Sequence, residues 1–196
     1  MGHREDLLEG ARRCLLQKGF LRTTARDIVK ESGTNLASIG YHYGSKDALL
    51  VEAYVSLIEE TGHRFDPGGE AQQAMSEPPG SLERFQKVWA NIIRALPESR
   101  AIFLLSFELI LQGDRLPEVR RLMIEAEGQG RSGLVPLFSD IPEADLDEET
   151  VETEGRFYQT LLQGLMVQWL FNPETATDAD QLTEGLRRVI AGTAKS

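Results

Sequence analysis

Apolar residues along this chain recur at intervals of three and four and show no sustained alternation, so the pattern predicts helices throughout and no sheet. Leu7, Leu8, Ala11, Leu15 and Leu16 line one side of a helix over residues 4–18, which Gly19 ends. Thr24 stands where an N-cap belongs, with Asp27 three positions on to complete a capping box, and Ile28 and Val29 supply the buried face of a short helix. Gly33 allows a sharp turn, and Asn35 caps a second short helix through about Tyr43. Ser45-Lys46-Asp47 then opens a fourth helix reaching about Gly62, with Leu49, Leu50, Ala53, Tyr54, Leu57 and Ile58 at helical spacing.

The stretch DPGGEAQQAMSEPPG over residues 66–80 is rich in Gly and Pro and reads as a linker, with one helical turn around Glu70–Met75. Beyond it, Ser81 caps a helix to Leu96 carrying Phe85, Val88, Trp89, Ile92 and Ile93. Pro97 is expected to start a separate helix to Gln112, apolar nearly all round and therefore buried on several sides. Pro117 opens another, with Val119, Leu122, Met123 and Ala126, which runs on through GQGRSG to Phe138. After the acidic turn SDIPEADLDEET come a long helix over residues 151–171, a break at Asn172-Pro173, and a last helix over residues 178–194 with Leu182, Leu186, Val189 and Ile190 on one side. The pattern predicts an all-α chain of about nine helices, divided into a helix-turn-helix domain over residues 1–46 and a helical domain over residues 47–196.

Charge sharpens this division. The 196 residues carry a formal charge of −10, yet residues 1–50 hold eight Lys/Arg against six Asp/Glu, leaving 13 against 25 in the rest. Only the first fifty residues are suited to meet phosphate, and a chain that coats nucleic acid indiscriminately is excluded. The lone Cys14 rules out a disulfide within one protomer and reads as buried filler rather than a redox sensor. The chain lacks an apolar run of about 18 residues, the length a membrane span needs, and MGHREDLLEG lacks a signal-peptide core, so a cytoplasmic location is expected.

Two dozen residues, Thr23 to Lys46, therefore hold two capped helices, a glycine turn and a knot of phosphate-seeking side chains. In order and spacing, Thr24, Ile28, Ser32-Gly33, Asn35, Tyr41-His42-Tyr43 and Ser45-Lys46-Asp47 resemble the N-terminal domain of the TetR (tetracycline-repressor) family of bacterial transcriptional regulators. Two positions depart from that pattern: Ser32 replaces the usual alanine, and Gly40 follows Ile39 where a tyrosine is common. With Ile28 and Ile39 facing the core, Leu36, Ala37 and Ser38, with Tyr41 one turn further, should project into the major groove. Leu36 and Ala37 would touch thymine methyls, and Ser38 can serve base or phosphate. Thr24, Tyr41, His42 and Lys46 would clamp phosphates, Lys46 at a helix N-terminus that itself attracts an anion, with Arg22 and Arg26 as outer contacts. Tyr43 reads as a core aromatic joining this module to the fourth helix.

The resemblance further implies a homodimer on a palindromic operator, paired through the last two helices, and a small-molecule effector held between Ser81 and Phe138. Phe157, Leu161, Gly164, Leu165, Gln168, Trp169, Leu182, Leu186 and Val189 are the candidate dimer residues, Gly164 allowing close approach of a partner helix. Phe85, Trp89, Phe103, Phe107, Glu108 and Met123 are the pocket candidates. Glu108 is the sharpest of these, because a carboxylate on an apolar helix needs water, a ligand or an arginine such as Arg94 or Arg100. A regulator without a small-molecule effector is the alternative, and a helical enzyme a remote one.

Chemistry argues against catalysis. Three histidines, His3, His42 and His63, one cysteine, and no HExxH, GxSxG or phosphate-loop pattern leave no catalytic set, no metal set and no call for a cofactor. The string Gly128-Gln129-Gly130-Arg131-Ser132-Gly133 fits GxGxxG, but it continues a helix rather than joining a strand to a helix, so it is not a dinucleotide site.

Overall fold

The computed structural model describes residues 3–64, 74, 76–112 and 117–193, all of them helix, turn or irregular, with no strand among them. In chain order the helices are α1 (His3–Lys18), α2 (Ala25–Ser32), α3 (Leu36–Tyr43), α4 (Lys46–Arg64), α5 (Leu82–Gln112), α6 (Pro117–Phe138), α7 (Arg156–Phe171) and α8 (Ala179–Thr193). A 3₁₀ turn at Glu143–Asp145, a single α-turn at Glu148–Thr150 and a π-helical stretch at Val151–Gly155 lead into α7. The helical turn expected at Glu70–Met75 lies outside the described residues apart from the buried Ala74, as do the side chains of Val119, Leu122 and Ala126.

The expected break at Pro97 does not occur: α5 runs unbroken for 31 residues with Pro97 inside it. Proline withholds the amide that Ile93 would have used and costs about 3 kcal/mol in a helix interior. Here the ring is exposed, while Ile92 and Leu96 before it and Ile102, Leu105 and Leu109 after it are all buried. Burying a large aliphatic side chain is worth about 1.5–3 kcal/mol, so the packing of both halves outweighs one missing hydrogen bond.

The helices form two compact units, one from the residues up to Gly62 with Ser99–Ile124, the other from residues 63–98 with Glu125 onward. In the first, Leu7, Ala11, Cys14 and Leu15 of α1 meet Ile28 of α2, Ile39 of α3, Leu49, Leu50, Ala53, Tyr54 and Leu57 of α4, and Ile102, Leu105 and Leu109 of α5. Ion pairs of Arg4 with Glu52 and Arg12 with Glu60 tie α1 to α4 outside this core. Tyr43 packs against this core, to which α4 contributes, and its hydroxyl also donates to the Arg4 carbonyl of α1 at 2.6 Å. Burial pushes the Cys14 thiol up from its ordinary value, away from the reactive thiolate form.

In the second unit, Phe85, Val88, Trp89 and Ile92 of α5 pack with Phe138 of α6, Leu165 of α7 and Ala179 of α8. Arg84, 1% exposed, secures the end of α6: its guanidinium donates to the carbonyls of Pro136, Leu137 and Ser139 and pairs with Asp140 at 2.7 Å. The Pro136 and Leu137 carbonyls belong to the last turn of α6 and that of Ser139 follows it, so a buried cation there satisfies groups at the helix end and complements the helix dipole.

Candidate functional site

The reading module is built by its caps. The Thr24 hydroxyl accepts from Asp27 N–H at 3.2 Å, and the Asp27 carboxylate receives Thr24 N–H at 2.9 Å and the Thr24 hydroxyl at 2.7 Å. Lys18 adds a 2.6 Å ion pair to the same carboxylate. Together the Lys18 ammonium and the Thr24 groups hold the Asp27 carboxyl well below the usual carboxylate range. Gly33 takes φ +68°, its N–H donating to Val29 O, and so turns the chain into α3. Asn35 caps α3 through Ser38 N–H at 3.1 Å, and Ser45 caps α4 through Ala48 N–H at 3.0 Å.

These caps set which side of α3 faces outward. Ile39 is buried, whereas Leu36, Ala37, Gly40 and Tyr41 are exposed and Ser38 is half-buried. Tyr41 stands 85% exposed, its ring edge-on to that of His42 at 4.8 Å. A Cβ at Gly40 would meet nothing within 4 Å, so the surface beside Tyr41 is open. Lys46 lies at the start of α4, with Nζ 2.6 Å from Asp47 and 5.5 Å from the centre of the Phe20 ring. Thr24 is exposed, but its hydroxyl proton is directed at Asp27, so a phosphate would have to compete for it.

The six pocket candidates do not share one unit. Phe85 and Trp89 belong to the second, in an aromatic cluster with Phe138 and Tyr158 whose ring centres are 3.9–6.0 Å apart. Burial pushes the Tyr158 hydroxyl up to about 12, and the fully buried Trp89 indole N–H has no hydrogen-bond partner among the described residues. Phe103 is buried, Phe107 half-buried and Met123 packed on the first core. Glu108 corrects the expectation most sharply. Its carboxylate accepts the backbone N–H groups of Phe20 and Leu21, at 3.0 and 2.9 Å, where the sequence left water, a ligand or an arginine open. A separate cavity of about 270 Å³, lined by Leu82, Glu83, Gln86, Asp180, Thr183, Glu184 and Arg187, contains none of the expected residues.

Among the candidate dimer residues, Leu165 is 3% exposed and forms part of the second core, so it has no free surface to offer. Leu161, Leu182 and Leu186 are half-buried against the same core, and Trp169 is half-buried. Gln168 accepts from both the N–H and the hydroxyl of Thr177. Phe157, Gly164 and Val189 do face outward, together with Val167, Phe171 and Ile190, which the sequence reading had not named as partner-facing. Phe157, Gly164 and Phe171 stand seven residues apart, a heptad signal that marks one helical face. No group of three or more His, Cys, Asp or Glu fit to hold a metal occurs among the described residues, and none of their helices is long and apolar enough to cross a membrane.

Comparison with known proteins agrees with this architecture. Residues 7–53 match the family of bacterial regulatory proteins, tetR family, and residues 81–195 match the C-terminal region of BetI-type transcriptional repressors. The HTH-type transcriptional regulator BetI of Rhizobium meliloti is 27% identical over 149 residues, covering 76% of this chain and 70% of that protein. The HTH-type transcriptional repressor AcnR of Corynebacterium glutamicum is 28% identical over 200 residues, covering 95% and 88%. Among solved structures, a transcriptional regulator of Streptomyces coelicolor A3(2) shares the fold at a TM-score of 0.70 and 21% identity, covering 95% and 97% of the two chains. The multidrug binding protein EbrR, complexed with imidazole, does so at 0.68 and 24%, covering 96% and 94%.

Proposed function

This chain belongs to the TetR family of bacterial regulatory proteins and is a DNA-binding transcriptional regulator, and on that footing we propose that it acts as a homodimeric repressor released from a palindromic operator by a small molecule. The observation that carries the reading is the outward face of α3, where Leu36, Ala37 and Tyr41 are exposed beside an open Gly40 while Ile39 is buried. Leu36 and Ala37 touch thymine methyls, Ser38 serves base or phosphate, and Thr24, Tyr41, His42 and Lys46 hold the backbone. Base hydrogen bonds are few on such a face, so DNA shape and half-site spacing contribute much of the specificity.

In this reading residues 1–46 read DNA and residues 47–196 carry effector binding and pairing. The exposed Phe157, Gly164, Val167 and Phe171 of α7 with Val189 and Ile190 of α8 supply the apolar surface for a second copy. Repression is supported by the match to BetI-type repressors over residues 81–195. The orphaned Trp89 indole N–H within the aromatic cluster supports an effector that brings an acceptor to aromatic surface. EbrR in complex with proflavin, a structure whose fold this chain shares, offers a planar aromatic probe. The close packing of Phe85, Trp89, Phe138 and Tyr158 favours the second reading, a regulator without a small-molecule effector.

Selection of bound fragments from random DNA, followed by salt titration on the best site, tests the proposal. A palindrome with half-sites about 34 Å apart and a steep fall of affinity with salt is expected. Binding indifferent to sequence overturns it. Sedimentation on and off that site separates dimer from monomer. A fluorescence titration of Trp89 and Trp169 with proflavin separates the two effector readings.

A further inference from the structure

We infer that Glu108 is a positioning residue for DNA recognition, fixing the loop that leads into the reading helices; the inference rests on the proposed operator binding and concerns the first unit alone. Its two carboxylate oxygens receive consecutive backbone amides, Oε2 from Phe20 and Oε1 from Leu21. The loop is shaped around that carboxylate. Gly19 adopts φ +80°, a conformation that favours glycine, and a Cβ there would lie 2.5 Å from Glu108 Oε2, so any larger residue would also push the carboxylate off its amides. Thr23 completes the turn, its hydroxyl donating to the Gly19 carbonyl at 2.7 Å, one residue before the Thr24 cap of α2.

Electrostatics alone would not place a carboxylate here. The end of α1 carries the negative pole of its helix dipole, and Gly19 is the residue after that helix. Two amide donors offset the repulsion, since hydrogen bonds to a charged acceptor are about twice as strong as neutral ones. The held residues matter for DNA contact. Phe20 is buried, and Lys46 Nζ lies over its ring, while Leu21 and Arg22 are exposed immediately before Thr24. Glu108 thus touches neither base nor phosphate; it fixes the entry to α2 and, because α2 packs against α3, the seat of the reading helix, while Lys46 keeps its own place at the start of α4.

The sign of its effect separates this role from a plain charge effect. Removing a negative charge near a DNA-binding surface would strengthen binding to every duplex. Loss of positioning weakens binding to the operator and leaves other duplexes alone. Glu108→Gln, which turns one acceptor oxygen into a donor group facing an amide, is expected to lower operator affinity roughly tenfold, the worth of about one such bond, with affinity for a scrambled duplex unchanged or raised. The slope of affinity against salt stays as in the parent, because no phosphate contact is lost. Glu108→Asp keeps the charge but withdraws the carboxylate, and it should show the same selective loss. Hydrogen exchange provides the reading independent of any operator: the amides of Phe20 and Leu21 should exchange faster in both variants while those of α2 and α4 keep their protection. Equal gains on operator and scrambled DNA, an Asp variant that behaves as the parent, or unchanged exchange at Phe20 and Leu21 each overturn the inference. Absence of an operator for the parent protein is instead a failure of the proposed function, and the exchange data then decide the role of Glu108 alone.

Discussion

Gly10 of α1 lies so close to Ser32 of α2 that a Cβ built on Gly10 would stand 2.8 Å from the Ser32 Cβ and 3.2 Å from the Ile28 carbonyl oxygen. The two helices cross where neither has a side chain to spare, which lets Ile28 and Leu7 reach full burial. Gly10→Ala should therefore destabilise the protein by about 1–3 kcal/mol through overpacking, although alanine alone favours a helix by about 1 kcal/mol. Urea unfolding measures it, and adding Ser32→Gly should recover part of the loss. A Gly10→Ala protein as stable as its parent would show that the helices yield easily.

Arg84 and Asp140 form a pair with unequal stakes. Arg84→Met leaves buried carbonyls of α6 without a donor and should cost about 2 kcal/mol or more, each such acceptor being worth about 1–3 kcal/mol. Asp140 is 67% exposed, so Asp140→Asn should cost less than about 1 kcal/mol. Thermal unfolding of the two variants checks the ratio, and equal losses would mean that the ion pair rather than the carbonyl cap carries the stability.

Acid should loosen α2 before the rest of the module. The Asp27 carboxyl is depressed by Lys18 and Thr24, so its contribution is complete above the unfolded carboxylate value, about 4, and is lost as pH falls through the lower folded value. Lys18 is raised, chiefly by its hydrogen bond to Asp27, so its share persists in acid only while Asp27 stays ionised and is lost at the alkaline end as pH rises through the folded lysine value. Stability measured from pH 6 to pH 2 should fall less steeply in Asp27→Asn than in the parent. Parallel curves would remove Asp27 from the acid response.

Lys46 and Leu36 should separate clamping from reading. Lys46→Ala is expected to weaken all operator variants about equally and to reduce the salt slope by about one ion. Leu36→Ala should change the preference among sequences, with a mismatch discrimination altered by about 1 kcal/mol. Competition binding on a panel of single-base operator variants measures both, and identical profiles would contradict the division.

Local signals carried the helix-turn-helix a long way. Thr24 with Asp27, Gly33 with positive φ, and the Asn35 cap are interactions among near neighbours, so spacing alone identifies them. Pro97 misled because the local cost of a proline is visible in sequence, whereas the burial of Leu96 and Ile102 on either side of it is not. Glu108 misled for a related reason. Its partners lie 88 and 87 residues away and are backbone amides, which leave no trace in residue type.

The sequence by itself determined the all-helical class, the position and caps of the reading helices, and the segregation of basic charge to the first fifty residues, because these follow from periodicity, capping chemistry and composition. Tertiary structure decided which apolar residues are buried and which remain to meet a partner: Leu165 against Phe171, four and ten residues beyond Leu161, take opposite fates. It also decided that the Glu108 carboxylate serves the loop before α2. Both outcomes depend on contacts between distant segments, and a helix pattern specifies a face without specifying what that face will touch.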